Sequence, residues 1–158
     1  MAENITMKAS DTLSAKMAKV FVTIEGHRYN LMNAINLEAK FEKTKTPVPI
    51  LGQMGEGNKA TGWKGTGSAT FHYNTSMFRE IVEKFKDTGE DTYFEIQITN
   101  EDPTSNAGRQ TVVLTGCNID GCTLAKFDAD GENLDEDMDF TFEDFKIPEK
   151  FKLLPGMA

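Results

Sequence analysis

The segment FDADGENLDEDMDFTFEDF, residues 127–145, holds the densest group of side chains in the sequence that could do chemistry. Seven carboxylates lie between positions 128 and 139, and no Lys or Arg separates them. Such a group could bind a cation, supply the acid and base of a catalytic site, or keep a surface negative. Its members are Asp128, Asp130, Glu132, Asp135, Glu136, Asp137 and Asp139.

Calcium binding is disfavoured by the spacing of these carboxylates. The calcium loop of an EF-hand has ligands at positions one, three and five and a bidentate Glu at position twelve. With Asp128 at position three and Asp130 at position five, Lys126 falls at position one. Asp137 then replaces the Glu at position twelve. Because a cation takes the place of the first ligand, the sequence is compatible with a weak, non-standard cation site at most.

Catalytic, metal and nucleotide sites are not indicated by the other motifs. Acid–base catalysis needs carboxylates in unlike environments, whereas ENLDEDMD reads as uniformly solvated. His27 and His72 have no companion Cys or His at metal-ligand spacing. The pattern G-x-x-G-x-G at residues 62–67 lacks the Lys-Ser/Thr ending of a phosphate loop and leads into a predicted strand. We therefore expect no enzymatic activity and no cofactor. The glycines at residues 62–67 are expected to permit a close approach of the backbone or a sharp entry into the strand.

The length of the chain predicts a single domain over residues 1–158. The net charge of −8 argues against binding nucleic acid through its phosphates. Residues 1–60 carry eight basic and six acidic side chains, whereas residues 61–158 carry nine and nineteen. This asymmetry could let opposite ends of neighbouring protomers attract each other, or it could reflect a solvated acidic face. No apolar run reaches the roughly 18 residues of a membrane span, and no signal peptide is recognisable.

Alternation of apolar residues predicts a mainly antiparallel β fold of about seven strands. One strand ends near Gly26, a longer one covers residues 31–42, and two more cover GSATFHYN and TYFEIQITN. The Asp-Gly pair at 120–121 predicts a hairpin turn between TVVLTGCNI and CTLAKFD. In the last strand the apolar residues move from even to odd positions near residue 143, which predicts a β-bulge.

One helix is predicted in SMFREIVEKFKDTG, residues 76–89. Asn74 or Thr75 could cap its N-terminus, and Gly89 is a suitable C-terminal stop. Its apolar stripe is expected to pack into the core. The stripe consists of Met77, Phe78, Ile81, Val82 and Phe85.

The two cysteines, Cys117 and Cys122, flank the predicted hairpin turn. In that arrangement they are diagonal neighbours about 7–8 Å apart. This separation exceeds the usual distance between disulfide-bonded residues, so both thiols are expected to be reduced.

Residues 44–62 interrupt the alternation with two prolines and four glycines, which predicts a long loop or an extended arm. The apolar segment PVPILGQM needs a covering surface, which could be a neighbouring chain or a small core beneath the loop. Trp63, next to the arm, could anchor an interface or pack at the hinge. The residues expected to contact a partner are Pro47, Val48, Pro49, Ile50, Leu51, Met54 and Trp63.

The order of these pieces resembles a known family. GWKGTGSATFHYNTSMF leads into the helix, and YFEIQITNED, the hairpin, the acidic loop and DFTFEDFKIPEKF follow. This order is similar to that of the XkdM-like tail tube proteins of contractile-tailed bacteriophages and defective prophage particles, from about Asp11 to Phe151. The most specific pieces, GTGSATF and FTFEDFKIPE, are strands with defined turns rather than catalytic signatures.

The resemblance implies the tail-tube fold, an antiparallel β-sandwich or partial barrel with one flanking helix and a long arm. It also implies that six copies form a ring and that rings stack into a hollow tube within a contractile sheath. The tube is a conduit for DNA or a tape-measure protein, and DNA passes without specific binding. Tail sheath, tape-measure and baseplate proteins are the implied partners. The implied location is a virion or phage-tail-like particle assembled in the bacterial cytoplasm, and both phages and phage-tail-like bacteriocins fit.

The acidic run would then line the channel or the rim of the ring, where its charge repels the phosphates of passing DNA. The arm would contact the adjacent ring. Two alternatives remain at this stage. One is a tail terminator or adaptor with the same fold, and the other is a small-molecule-binding β-barrel enzyme, which would need a pocket with convergent polar groups.

Overall fold

The computed structural model describes residues 5–158, and these residues form eight strands and one α-helix. The mainly antiparallel β fold predicted from alternation is confirmed. The elements are β1 Ala18–Ile24, β2 His27–Asn30, β3 Ala34–Pro49, β4 Glu56–His72, α1 Met77–Thr88, β5 Phe94–Glu101, β6 Arg109–Cys122, β7 Asp135–Phe142 and β8 Asp144–Glu149.

The chain is divided into two compact units. The first contains residues up to 32 together with 94–115 and 145–158, and the second contains 33–93 and 116–144. Strand β6 is long enough to contribute its first half to one unit and its second half to the other.

The first unit is built around β1, which pairs antiparallel with both β2 and β5. Val22 and Ile96 are partners in the second pairing, and both are fully buried. Phe94 and Leu114 are buried as well. Since the side chains of a strand alternate between its two faces, the alternating pattern of β1 and β5 puts these residues on a common apolar face.

Hydrogen bonds fasten the N-terminal segment to the connection between β5 and β6. The carboxylate of buried Asp11 accepts hydrogen bonds from the backbone N and Nδ2 of Asn106, at 3.1 and 2.8 Å. Asp102 accepts a hydrogen bond from the backbone N of Ser14 at 2.9 Å. This bond, and a similar one from Thr104, hold the pKa of Asp102 below its usual value.

The second unit contains an antiparallel sheet in the order β3, β4, β7 and the second half of β6. Its core includes Phe71 of β4 together with Met138 and Phe140 of β7, all nearly inaccessible to solvent. Helix α1 packs on this face, where the Phe78 ring stacks on Phe71 with centroids 5.3 Å apart. Burial of these apolar side chains stabilises this unit.

The predicted helix is confirmed over Met77–Thr88, and Gly89 ends it in the left-handed conformation. The predicted N-cap is wrong by one or two positions, because the cap is Ser76 rather than Asn74 or Thr75. Thr75 still contributes, since its Oγ1 accepts a hydrogen bond from the first helical N–H at 3.2 Å.

The apolar stripe of α1 is only partly core. Phe78 and Ile81 are buried as predicted, but Phe85 is 51% exposed. The sequence pattern identified the apolar face correctly, but Phe85 is less buried than predicted.

The predicted hairpin at residues 120–121 is wrong. Strand β6 runs through the Asp-Gly pair to Cys122. Its register with β7 shifts between Ile119 and Gly121, which is the signature of a β-bulge. The following residues 123–128 belong to no strand. An Asp-Gly pair favours a tight turn, but it also suits the irregular backbone of a bulge.

The register change near residue 143 was located correctly, but its form differs from the prediction. Strand β7 ends at Phe142 and β8 begins at Asp144, so Glu143 separates two strands. A bulge within one strand and a break between two strands both move the apolar residues from even to odd positions, so the sequence pattern does not distinguish them.

Close approach of the backbone is confirmed at two glycines of the G-x-x-G-x-G pattern. Gly65 pairs with Phe142 and Gly67 pairs with Phe140 across β4 and β7. A Cβ atom at either glycine would overlap the aromatic ring of its partner. The two rings therefore lie directly over the glycine backbone, and this is why the strand needs glycine there.

Adding a methyl group at these positions should destabilise the protein. We expect Gly65→Ala and Gly67→Ala each to lower the free energy of unfolding by about 1–3 kcal/mol, because the phenylalanine rings must move. Gly62→Ala is the matched control, since open space surrounds that position on the same strand. Urea unfolding followed by circular dichroism would measure the difference. Equal effects at all three positions would contradict this account of the glycines.

Candidate assembly surfaces

The β3–β4 hairpin extends far beyond the strand next to it. Pairing of β4 with β7 ends at Gly65 and Phe142, whereas β3 and β4 stay paired as far as Pro49 and Glu56. The part beyond β7, residues 42–64, is termed the projecting hairpin. At about 3.3 Å per residue its eight β3 residues, 42–49, span about 26 Å.

Of the two predictions for residues 44–62, a long loop or an extended arm, the structure has the extended arm, in the form of a paired hairpin. Residues 44–49 and 56–62 lie in paired strands, and only the six residues between Pro49 and Glu56 form the turn. Hydrogen bonds between the two backbones hold these strands together, although their side chains do not alternate between apolar and polar. Pro47 and Pro49 are compatible with this pairing because prolines are tolerated on edge strands, and β3 ends the strand order.

The tip of the projecting hairpin is apolar and solvent-exposed. Leu51 and Met54 have relative accessibilities of 103% and 106%, and Val48 and Ile50 are 38% and 43% exposed. The full exposure of Leu51 and Met54 argues against the alternative in which a small core of the same chain lies beneath the segment. The tip remains the candidate contact with another chain, as predicted.

Trp63 packs at the base of the projecting hairpin. Its ring stacks on Phe41 with centroids 5.0 Å apart, and it lies 6.1 Å from the ring of Phe142. It remains 38% exposed. The structure thus gives it a packing role at the hinge, and its exposed edge can still contribute to an interface.

The acidic run is divided among three environments. Asp128, Asp130 and Glu132 lie in the exposed loop before β7. Alternation along β7 places its odd-numbered carboxylates on the face opposite the core. There, Asp135 lies 3.7 Å from Nδ1 of His72, and Asp137 accepts a hydrogen bond from Thr70 at 2.9 Å. The third member of this row is Asp139, which is exposed.

Glu136 does not belong to the acidic surface, which corrects the prediction. It is 7% exposed and shares the buried face of β7 with Met138 and Phe140. Its carboxylate forms an ion pair with Arg79 of α1. The guanidinium of Arg79 also donates to a backbone carbonyl and lies 4.4 Å from the Tyr73 ring centroid. Position 136 is even-numbered like the buried Phe140 and Phe142 of the same strand, so the sequence pattern could have predicted that Glu136 is buried.

The loop carboxylates are organised by their own backbone. Oδ1 of Asp128 accepts hydrogen bonds from the backbone N atoms of Asp130 and Gly131, both at 3.1 Å. Within residues 5–158, no group of three or more His, Cys, Asp or Glu side chains is arranged to hold a metal ion.

The outer face of the second unit's sheet is polar. Glu38 and Lys40 of β3, Thr66 and Ser68 of β4, and Asp139 of β7 line an open concavity of about 340 Å³. Carboxylates and hydroxyls therefore dominate this face, and the apolar side chains of the same strands lie on the other one.

The cysteines are free, as predicted, although the reason differs. Cys117 and Cys122 lie on the same strand, β6, so an extended backbone keeps them about 16 Å apart. Cys117 is fully buried. Burial raises the pKa of the Cys122 thiol, and the nearby carboxylate of Glu136 adds to that effect.

No helix among the described residues is long and apolar enough to cross a membrane.

Solved structures with the same fold are components of tails and contractile injection systems. A chain of the anti-feeding prophage baseplate matches with a TM-score of 0.63 at 10% identity, covering 90% of this chain and 97% of that chain. A chain of the PVC sheath-tube complex matches with a TM-score of 0.63 at 8% identity, covering 90% and 98%. The SPP1 tail tube matches with a TM-score of 0.62 at 7% identity, covering 90% and 81%. The fold is therefore that of tail tube proteins.

Sequence relatives lead from this fold class to a family. The chain is 38% identical to the phage-like element PBSX protein XkdM of Bacillus subtilis strain 168, over 92% of this chain and 97% of that protein. It is also 38% identical to YqbM of the same strain, over 94% and 98%. The chain belongs to the phage tail tube protein family, whose model matches residues 5–149. The resemblance noted in the sequence is thereby confirmed, and the protein is a structural component of a phage tail or phage-like particle.

Proposed function

We propose that six copies of this chain, each acting as one tail-tube domain over residues 1–158, close into a ring and that rings stack into a hollow inner tail tube. The observation that supports ring closure is the position of β3, a 16-residue strand at the end of the strand order. Within residues 5–158, β4 is its only strand partner. An open strand edge of this length is a template for pairing with another chain.

Ring closure would satisfy this edge in the same way that a closed barrel satisfies its strands. The two prolines restrict where pairing can occur. Pro47 and Pro49 have no backbone N–H, so the ladder with a neighbour is best formed by the inner part of β3, residues 34–46. The outer part of the hairpin is then free for a different contact, the one between rings.

The polar face of the second unit's sheet is the proposed lining of the channel. Asp137 and Asp139 lie on this face, so negative charge would be presented to passing DNA. A ring of six chains at −8 each has a formal charge of −48. Phosphates would be repelled rather than bound, which lets DNA or a tape-measure protein pass without adhesion. The exposed loop with Asp128, Asp130 and Glu132 would lie at the ring rim.

The proposed setting is a contractile tail or phage-tail-like particle, assembled in the bacterial cytoplasm. A sheath protein would surround the tube, a tape-measure protein would occupy it during assembly, and a baseplate protein would meet its end. Family membership over residues 5–149 supports this setting.

The purified protein should form tubes in plain buffer, without added metal or nucleotide. Negative-stain electron microscopy would show long tubes if the proposal is right, isolated rings for a terminator or adaptor, and monomers for an enzyme.

Moderate salt should maintain or accelerate the growth of tubes, because it screens the electrostatic repulsion between rings. Light scattering across a salt series would measure the rate of growth. Dissociation with rising salt would mean that attraction between opposite charges dominates the contacts.

A further inference from the structure

A second concavity in the same unit is a largely apolar groove between α1 and the C-terminal end of β6. Its volume is about 400 Å³. Ile81 is buried in it, whereas Phe85 and Leu124 are 51% and 66% exposed. Apolar side chains gathered at one exposed groove are typical of a surface that another chain covers.

The charges around the groove complement those of the projecting hairpin. The two segments that line the groove, residues 81–91 and 118–124, have net charges of −2 and −1. The projecting hairpin, residues 42–64, contains four Lys and two Glu and has a net charge of +2. Complementary charge steers two surfaces together and fixes their orientation.

We propose that this groove receives the tip of the projecting hairpin, residues 50–54, from a second copy of the chain. The exposed side chains of Leu51 and Met54 match the apolar lining of the groove. Since the hairpin extends about 26 Å past β7, its tip stands away from its own sheet and can reach another protomer. The inference rests on the proposed stacking of rings and names the surface that receives the hairpin.

The native thiol of Cys122 allows a direct test, because it lines the groove. In tubes of the Leu51→Cys variant, a copper oxidant should produce disulfide-linked chains on a non-reducing gel. We expect at least a tenfold increase over the unmodified protein. Mildly alkaline buffer is needed, since burial raises the pKa of the Cys122 thiol. The product should disappear when Cys122→Ser is added.

Ile35→Cys is the matched control, because Ile35 is an exposed apolar residue on β3 that lies outside the projecting hairpin. It should give little cross-linked product. A cross-link to Cys122 from position 35 and none from position 51 would show that the open edge of a neighbour's β3 fills the groove, and would overturn the inference. Products that survive Cys122→Ser join the introduced thiol to a second introduced thiol or to Cys117, and would overturn the inference as well.

The outcomes separate this inference from the proposed function. Met54→Cys is a second variant in case Leu51→Cys does not assemble, and absence of the cross-link from both overturns the inference. Normal tubes of the unmodified protein would then leave the proposed function standing. Failure of the unmodified protein to form rings or tubes would refute the proposed function, and the inference with it.

Discussion

Replacing Leu51 and Met54 together by Asp should give a folded protomer that no longer stacks into tubes. Both side chains are fully exposed, so the fold loses nothing when they are removed. Burying each against a neighbour would contribute roughly 1.5–3 kcal/mol before ordering costs. Loss of both should raise the concentration needed for tube growth by at least about 100-fold. Circular dichroism would check the fold, and electron microscopy the assembly.

Met54 is a better choice than Ile50 for this double variant. The side chain of Ile50 lies against Gly57 of its own hairpin, so a charge there would disturb the hairpin as well as the contact. Met32→Asp with Leu153→Asp is the control, since both residues are exposed and the added charge is the same. Normal tubes from the hairpin variant, or equal loss in the control, would remove the tip from the stacking interface.

Much of the fold could be predicted because its signals are local. Helix α1 combines an apolar stripe with Gly89 as its stop, and both are encoded within one segment. The strands of the core alternate, so their faces follow from parity. The projecting hairpin has no such pattern. Its ladder depends on backbone pairing between residues 44–49 and 56–62, which composition rich in Pro and Gly conceals.

At two places the sequence of one strand does not decide between a turn, a β-bulge and a strand end. At residues 120–121 the sequence predicted a turn and the structure has a bulge, whereas near residue 143 it predicted a bulge and the strand ends. Each event shifts the apolar positions by one. The choice between them depends on the partner strand, and neighbouring strands are set by the tertiary fold rather than by the local sequence.

The acidic run was predicted as one solvated surface because its members are adjacent in sequence. Glu136 departs from that prediction since its partner, Arg79, is 57 residues away and lies on α1. A long separation in sequence also hides the groove from a sequence pattern, because α1 and the end of β6 meet only in the folded unit. The alternation along β7 places position 136 on the buried face. Only the structure shows that the guanidinium of Arg79 compensates the buried charge of Glu136.

Breaking the Arg79–Glu136 ion pair should have a large effect on the stability of the protomer. The side chains are only 17% and 9% exposed, so removal of one partner leaves the other charge buried without compensation. We expect Glu136→Met to lower the free energy of unfolding by about 3–5 kcal/mol. Urea unfolding in the Leu51→Asp, Met54→Asp background would exclude the contribution of stacking into tubes, because assembly otherwise adds to apparent stability.

The double variant Arg79→Met with Glu136→Met separates the charge effect from packing. Replacing both members of a buried pair by apolar side chains of similar size is often neutral, so most of the lost stability should return. Some loss should persist because Arg79 also binds the carbonyl of Thr75 and covers the ring of Tyr73. Asp139→Met is the matched control on the exposed face of the same strand, and it should change stability by about 0.5 kcal/mol or less. A single Glu136→Met variant as stable as this control would show that the ion pair contributes nothing to the fold.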